Sequence, residues 1–404
     1  NSGDITATSL AGGVMASYYD QKSVKIGTGP TSNTTKGVIN SGAISAGSGY
    51  GAGIYSVYAA QKDSSNAEVS CTAEIINVEN LGVVTGKYVA GIVQGVYQTN
   101  TKWCINGDGT TVTLEDGTTA IKASVTSTDG VASGIAVVRR GITDLGSANN
   151  ASITATTTTS DDIKTIATGI VAVCAWGNGV ISLNSSSNSK PSTANSIITS
   201  SGYASGVAYI NGVTKADYTA YISACANSQA ISGKIASGIL VVDSDTLGDR
   251  VFDIGENGDT TNSGAITGTL LASGISGYVQ GDKSTNGDKL TNLITFNLKQ
   301  AVTTELGLKF IQVQTAYSNA YAAGIAVAIG GFVNQINGKI VNVKQVYVDS
   351  PSGGDCIAMV AGLVVAKYAN IISGYNGIND SPTAKVFALR SEERRVGKEC
   401  RSRW

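Results

Sequence analysis

Residues 40–54 read NSGAISAGSGYGAGI, and this stretch decides the fold. It holds two landmarks. The first, NSGAISA from Asn40, pairs a turn with a short strand. Asn and Gly tolerate left-handed backbone angles, and Ile44-Ser45-Ala46 alternates apolar and polar. The second, YGAGI from Tyr50, is a large apolar residue, two small ones, Gly53 and a branched aliphatic.

Working outward, the second landmark recurs ten times. Its copies begin at Leu10, Tyr50, Tyr88, Val131, Ile166, Tyr203, Ile235, Leu271, Tyr321 and Met359. Their glycines run from Gly13 to Gly362 with a mean spacing of about 39 residues. Copies of the first landmark start at Asn1, Asn80 and Asn262, with looser forms at Ala151 and Ile336. Self-similarity at such a period marks a repeat architecture. Helix competes for Ala-rich pieces such as NAYAAGIAVAIGG from Asn319. A Gly at the centre of every unit argues against helix, at about 1 kcal/mol each relative to Ala. Short runs rich in Ile, Val, Thr and Tyr favour strand.

The expected fold is therefore all-β, a right-handed parallel β-helix or β-solenoid of about ten repeats. Ten units exceed the four to eight blades of most propellers. A repeat of about 39 residues has the length for two coils of about 19, which would give a rod on the order of 90 Å, or for one coil, which would halve that. The residue after each Gly should point inward and form an aliphatic stack, and the turn Asn residues should form a hydrogen-bonded ladder.

Composition excludes several functions. The chain of 404 residues has no His, so neither a Ser-His-Asp triad nor a His-based metalloprotease can exist. Its formal charge of −1 offers no basic face for nucleic acid. Residues 390–404 read RSEERRVGKECRSRW and carry six of the 28 basic and three of the 29 acidic residues. That string resembles translated sequencing-adapter read-through. We therefore assign 1–389 as one solenoid array, a fragment cut at both ends with a charge of −4, and 390–404 as a non-native tail.

The repeat unit resembles the passenger repeats of bacterial autotransporters, the adhesin-like β-helices of type V secretion. The likeness covers nearly all of residues 1–389. It implies a surface-exposed or secreted stalk without catalytic activity, displayed outside the cell and anchored to the outer membrane through a missing C-terminal barrel. It implies host or environmental glycans or surface proteins as partners, with self-association also open, and no cofactor. A β-helical polysaccharide lyase or hydrolase and a phage-fibre or surface-layer module are the rival readings.

Candidate sites are few. Cys71, Cys104, Cys174, Cys225 and Cys356 read as small buried hydrophobes, with a Cys71–Cys104 disulfide as the alternative. Asp243, Asp245 and Asp249 fail the EF-hand spacing, and GENGDTTN from Gly255 and NGDGT from Asn106 lack a calcium-binding repeat. Asp161 and Asp162, near Arg139, Arg140 and Lys164, are the one carboxylate pair that an acid/base mechanism could use. Tyr50, Tyr88, Tyr203 and Tyr321 exchange with aliphatics and read as packing positions. Tyr55, Tyr58, Tyr97, Tyr209, Tyr218 and Tyr221 are candidates for an exposed, sugar-stacking face. The longest interval between repeats, Gly274 to Gly324, contains Asp282, Lys283, Asn286, Asp288 and Lys289, the expected binding loop. The longest apolar stretch, 320–333, is too short to span a membrane as a helix.

Overall fold

The computed structural model describes residues 1–27, 37–107, 111–113, 119–158, 165–189, 197–212, 219–244, 250–279, 294–304, 310–314, 319–336, 338–350, 357–371, 374–376 and 386–390. Among them there is no helix. Three parallel sheets of 17, 16 and 10 strands run the length of the array, joined by one small antiparallel pair, Thr111–Thr113 with Thr119–Ile121. The fold is a parallel β-solenoid.

Strand register shows how a repeat becomes a coil. Leu10 pairs with Tyr50, Tyr50 with Tyr88, Tyr88 with Val131, and the succession continues to Tyr321 with Met359. Each repeat is thus one coil, the shorter of the two alternatives that the repeat length left open. Both landmarks lie on the same turn: Asn40 ends a strand of the 10-stranded sheet, and Ile44–Ser45 and Tyr50–Ala52 both belong to the 17-stranded one, so the whole repeat is used in one circuit. About ten coils at roughly 4.8 Å each give a rod on the order of 48 Å.

Each circuit runs through the first sheet (Tyr50–Ala52), bends at Gly53, enters the second sheet (Tyr55–Ala59 and Thr72–Ile76), and returns through the third (Val78–Asn80). Period-2 alternation then sorts the side chains. Ile54, Ile92, Ile135, Ile170, Val207, Ile239, Ile275 and Ile325 follow the corner glycine and are fully buried in one inner compartment. An inner stack of Trp176, Phe252 and Phe296, with centroids 5.7 and 5.8 Å apart, shares that compartment. Ala132, Ala167, Ala204, Ala236, Ala272 and Ala322 precede the glycine and fill a second compartment with Ile44, Val84 and their equivalents.

The glycine separates the two compartments. A Cβ on Gly169 would lie 2.7 Å from the Asn188 side chain, and one on Gly206 2.6 Å from that of Asn227. The third sheet presents these asparagines in register. Asn1, Asn40, Asn80, Asn106 and Asn149 each donate from Nδ2 to Oδ1 of the next coil's Asn at 2.8–2.9 Å. The relay continues through Asn188 and Asn227 to Asn262. In the following coil Thr303 takes the position, and its hydroxyl donates to Asn342 Oδ1 at 2.6 Å. The expected ladder exists and is longer than the Asn-x-Gly landmark indicated.

Three residues before the ladder Asn, several coils pass through a left-handed residue: Asn77, Trp103, Ser185 and Ala224 have φ between 52 and 57°. Ala224 has neither the freedom of Gly nor the side-chain hydrogen bond of Asn there. Ala224→Gly should therefore raise stability by about 1 kcal/mol, read as a higher melting temperature; an unchanged or lower value would contradict this backbone assignment.

Four long polar side chains span two coils instead of one. Asp20 accepts from the Tyr97 backbone N–H, and Arg250 lies over the Trp176 ring at 4.9 Å with Nη2 3.4 Å from the Trp176 carbonyl. Gln229 donates to the carbonyls of Ser189 and Ala151, and Lys344 Nζ donates to that of Ser263 at 3.2 Å. All four residues are buried.

Candidate functional site

The bend at the repeated glycine makes the outside of the rod concave. Val131 and Val137 both point away from the inner compartments, yet both are nearly fully buried, because they meet across the corner. The same outer cluster holds Ile166, Ala172, Ile235, Val241, Leu271 and Val327 in successive coils. A groove therefore runs along the rod, filled through its middle by aliphatics and by the Tyr203–Tyr209 pair.

At the first three coils the filling is aromatic. Tyr50 and Tyr88 lie on the first-sheet wall with centroids 5.2 Å apart and planes 15° from parallel. Tyr18 and Tyr58 stack on the second-sheet wall at 5.0 Å and 20°. Tyr50 meets Tyr58 edge to face across the corner at 5.3 Å, and Tyr19 abuts Tyr18 likewise at 4.7 Å. Tyr18, Tyr19 and Tyr58 are 59, 53 and 42% exposed, whereas Tyr50 and Tyr88 are half-buried. Burial, then the neighbouring Tyr88 and Tyr58, pushes the Tyr50 hydroxyl above its usual range. Lys87 Nζ sits 5.8 Å from the Tyr88 ring centroid.

Beneath this patch lies a buried ion pair. Arg139 donates to Asp20 Oδ2 at 2.9 Å and to the Gly95 carbonyl. Desolvation raises the Asp20 carboxyl above its ordinary value; the Tyr97 N–H and the Arg139 charge partly oppose that. Arg140 pairs with Glu68 at 3.5 Å. Both arginines weighed as basic groups are thus held in structural pairs.

The sequence candidates separate clearly. Of the six tyrosines expected on an exposed face, Tyr58 and Tyr221 are exposed. Tyr55, Tyr97 and Tyr209 are buried, which corrects that expectation. Tyr55 occupies an inward position of the second sheet; Tyr209 points outward but into the concave corner, where its hydroxyl donates to Asp243 at 2.9 Å. Tyr97 donates to Asn178 Oδ1 at 2.8 Å. Tyr218 lies outside the described residues, as do Asp161, Asp162, Lys164, Asp245, Asp249, Cys356 and the loop candidates Asp282, Lys283, Asn286, Asp288 and Lys289. Cys71 and Cys104 are free and buried, so the disulfide alternative is not formed; Cys225 is buried and Cys174 half-buried. Burial pushes the Cys104 and Cys225 thiols up to about 12, which leaves them unreactive. Among the described residues no cluster of His, Cys, Asp or Glu is placed to hold a metal.

Tyr18 and Tyr19 were not singled out from sequence. A signal was present: Tyr18 and Tyr58 each stand five residues after a corner glycine, Gly13 and Gly53. No protein family, characterised protein or solved structure matches the chain.

Asp144 is buried with hydroxyls, not a cation, in its hydrogen-bond set. The Asp144 carboxylate accepts from the hydroxyls of Thr101, Ser147 and Ser186, joining three coils. Desolvation raises its pKa above 3.8, although the three hydroxyls lower it in part. For an acid with a raised folded-state pKa, the stabilising contribution is full below the unfolded value and is lost as pH rises through the folded one. Asp144→Asn, which keeps the shape without the charge, should therefore melt higher than the parent at pH 7. The difference should close as pH falls toward 4. A constant difference across thermal melts at pH 4–8 would contradict the buried charge.

Proposed function

We propose that this chain is part of an exported stalk, adhesin-like and non-catalytic, that holds a binding surface away from a cell. The observation that carries the reading is the cross-coil bonding among the described residues. Parallel ladders on three sheets, an internal amide relay and side chains that brace two coils suit a stiff spacer. The tyrosine-lined groove supplies a surface on that spacer, and the likeness to autotransporter passengers supports export to the outside of an outer membrane. Partners in this reading are glycans or surface proteins.

The test is to read the gene beyond residue 389 and to express it whole. A terminal membrane barrel, together with protease-accessible solenoid on intact cells, is the expected result. A full gene without a barrel, whose product stays in the cytoplasm, would overturn the proposal.

A further inference from the structure

We propose that the tyrosine patch at the first three coils is a binding site for a short, neutral oligosaccharide. This deepens the reading of the chain as a displayed adhesin and rests on it for the biological setting, though the binding itself does not require it.

Size decides against a protein partner. An aromatic side chain buries about 150–250 Å² when fully covered. Three half-exposed and two half-buried tyrosines therefore offer on the order of 400 Å². A stable protein interface needs about 800 Å² per partner. The patch does not grow toward the C-terminal coils, because these place Val131 and Ile166 there and both are nearly fully buried. A small ligand seated on these three coils fits these dimensions.

Chemistry decides for a sugar. The five rings give apolar surface with phenolic hydroxyls at its margin. A pyranose carries the complementary pair, a C–H face and a rim of hydroxyls. Tyr58 standing edge-on to Tyr50 makes a right-angled seat that a flat ring can enter from outside. Charge decides for a neutral one. Lys87 lies against the Tyr88 ring, and the Arg139 charge, which also reaches Tyr50, is paired with the buried Asp20 carboxylate beneath. A strongly anionic glycan would find one ammonium group, and a cationic ligand no exposed carboxylate among these residues.

The experiment titrates the purified chain with soluble neutral glucose and N-acetylglucosamine oligomers, followed by calorimetry and by chromatography of the sugar afterwards. Saturable binding is expected, little affected by raising salt from 50 to 500 mM. A Tyr18→Ala/Tyr58→Ala variant should bind about tenfold more weakly with an unchanged melting temperature. Tyr221→Ala, which alters an exposed tyrosine outside these aromatic contacts, should bind normally. No binding to any oligomer, equal binding by the double variant, or preferential binding of an acidic oligosaccharide or a proline-rich peptide would overturn the site. Cleavage of the bound oligomer would leave the site standing and overturn the non-catalytic reading instead.

Discussion

Gly134→Ala is expected to abolish cooperative folding of the middle of the rod. The added Cβ would lie 2.5 Å from Asn149 Oδ1 and well inside contact distance of the Gly169 carbonyl in the next coil. Neither neighbour can yield. Asn149 is tied by its amide to Asn188 and to the Ala151 carbonyl, and Gly169 is fixed by its own N–H to the Ser205 carbonyl. Overpacking in a core with room to shift costs about 1–3 kcal/mol. Here the clash is with backbone on one side and a buried amide on the other, so relief requires separating two coils. The loss should exceed about 4 kcal/mol, a range reached by few single substitutions. Denaturant unfolding followed by circular dichroism reads it directly. A midpoint within experimental error of the parent would show that the corner glycine is not a steric requirement.

Ile170→Asp should have a comparable effect by a different route. Ile170 is fully buried in the larger inner compartment, and its backbone carbonyl accepts from the N–H groups of Ile135 and Ala136 and from the Ser133 hydroxyl. Truncating a buried Ile to a small residue costs about 2–5 kcal/mol. Adding a carboxylate with no partner adds a desolvation penalty of several kcal/mol. The solenoid then loses its single cooperative transition, or melts far below the parent. The added part should shrink at low pH, where the new carboxyl is neutral. A melting temperature shifted by less than a degree would show that this side chain does not face the interior.

Much of the architecture was legible because the repeated unit contains a residue with one physical solution. The corner position admits only Gly, since a carbonyl of the next coil and the Asn188-type side chain occupy the space of its Cβ. The inward Ile and the small residues beside Gly followed from alternation. The number of coils per repeat did not, because strand alternation looks the same whether a unit makes one circuit or two. The ladder was only partly visible. Asn106, Asn149, Asn188 and Asn227 lack the Gly two residues later that made Asn40 and Asn80 conspicuous.

The tyrosines show the clearest limit. Alternation separates inward from outward, but outward equals exposed only on a convex surface. Tyr209 is outward and buried because the bend folds two sheet faces toward each other; Tyr58 is outward and open, stacked on Tyr18 and meeting the opposite wall only edge-on at Tyr50. That distinction belongs to the angle between sheets, which no local pattern encodes.

The amide relay also has a direction. Every step from Asn1 to Asn262 passes an N–H toward the C-terminal coil, so the dipoles point one way and reinforce one another. At Thr303 a hydroxyl replaces the amide, and the run of aligned dipoles ends one coil before it. Between the coils of Asn262 and Thr303 axial load passes instead to the backbone ladders and to outer side-chain links, Asn297 to Asp253 and Lys299 to Glu256, so the rod changes how it carries tension at that junction.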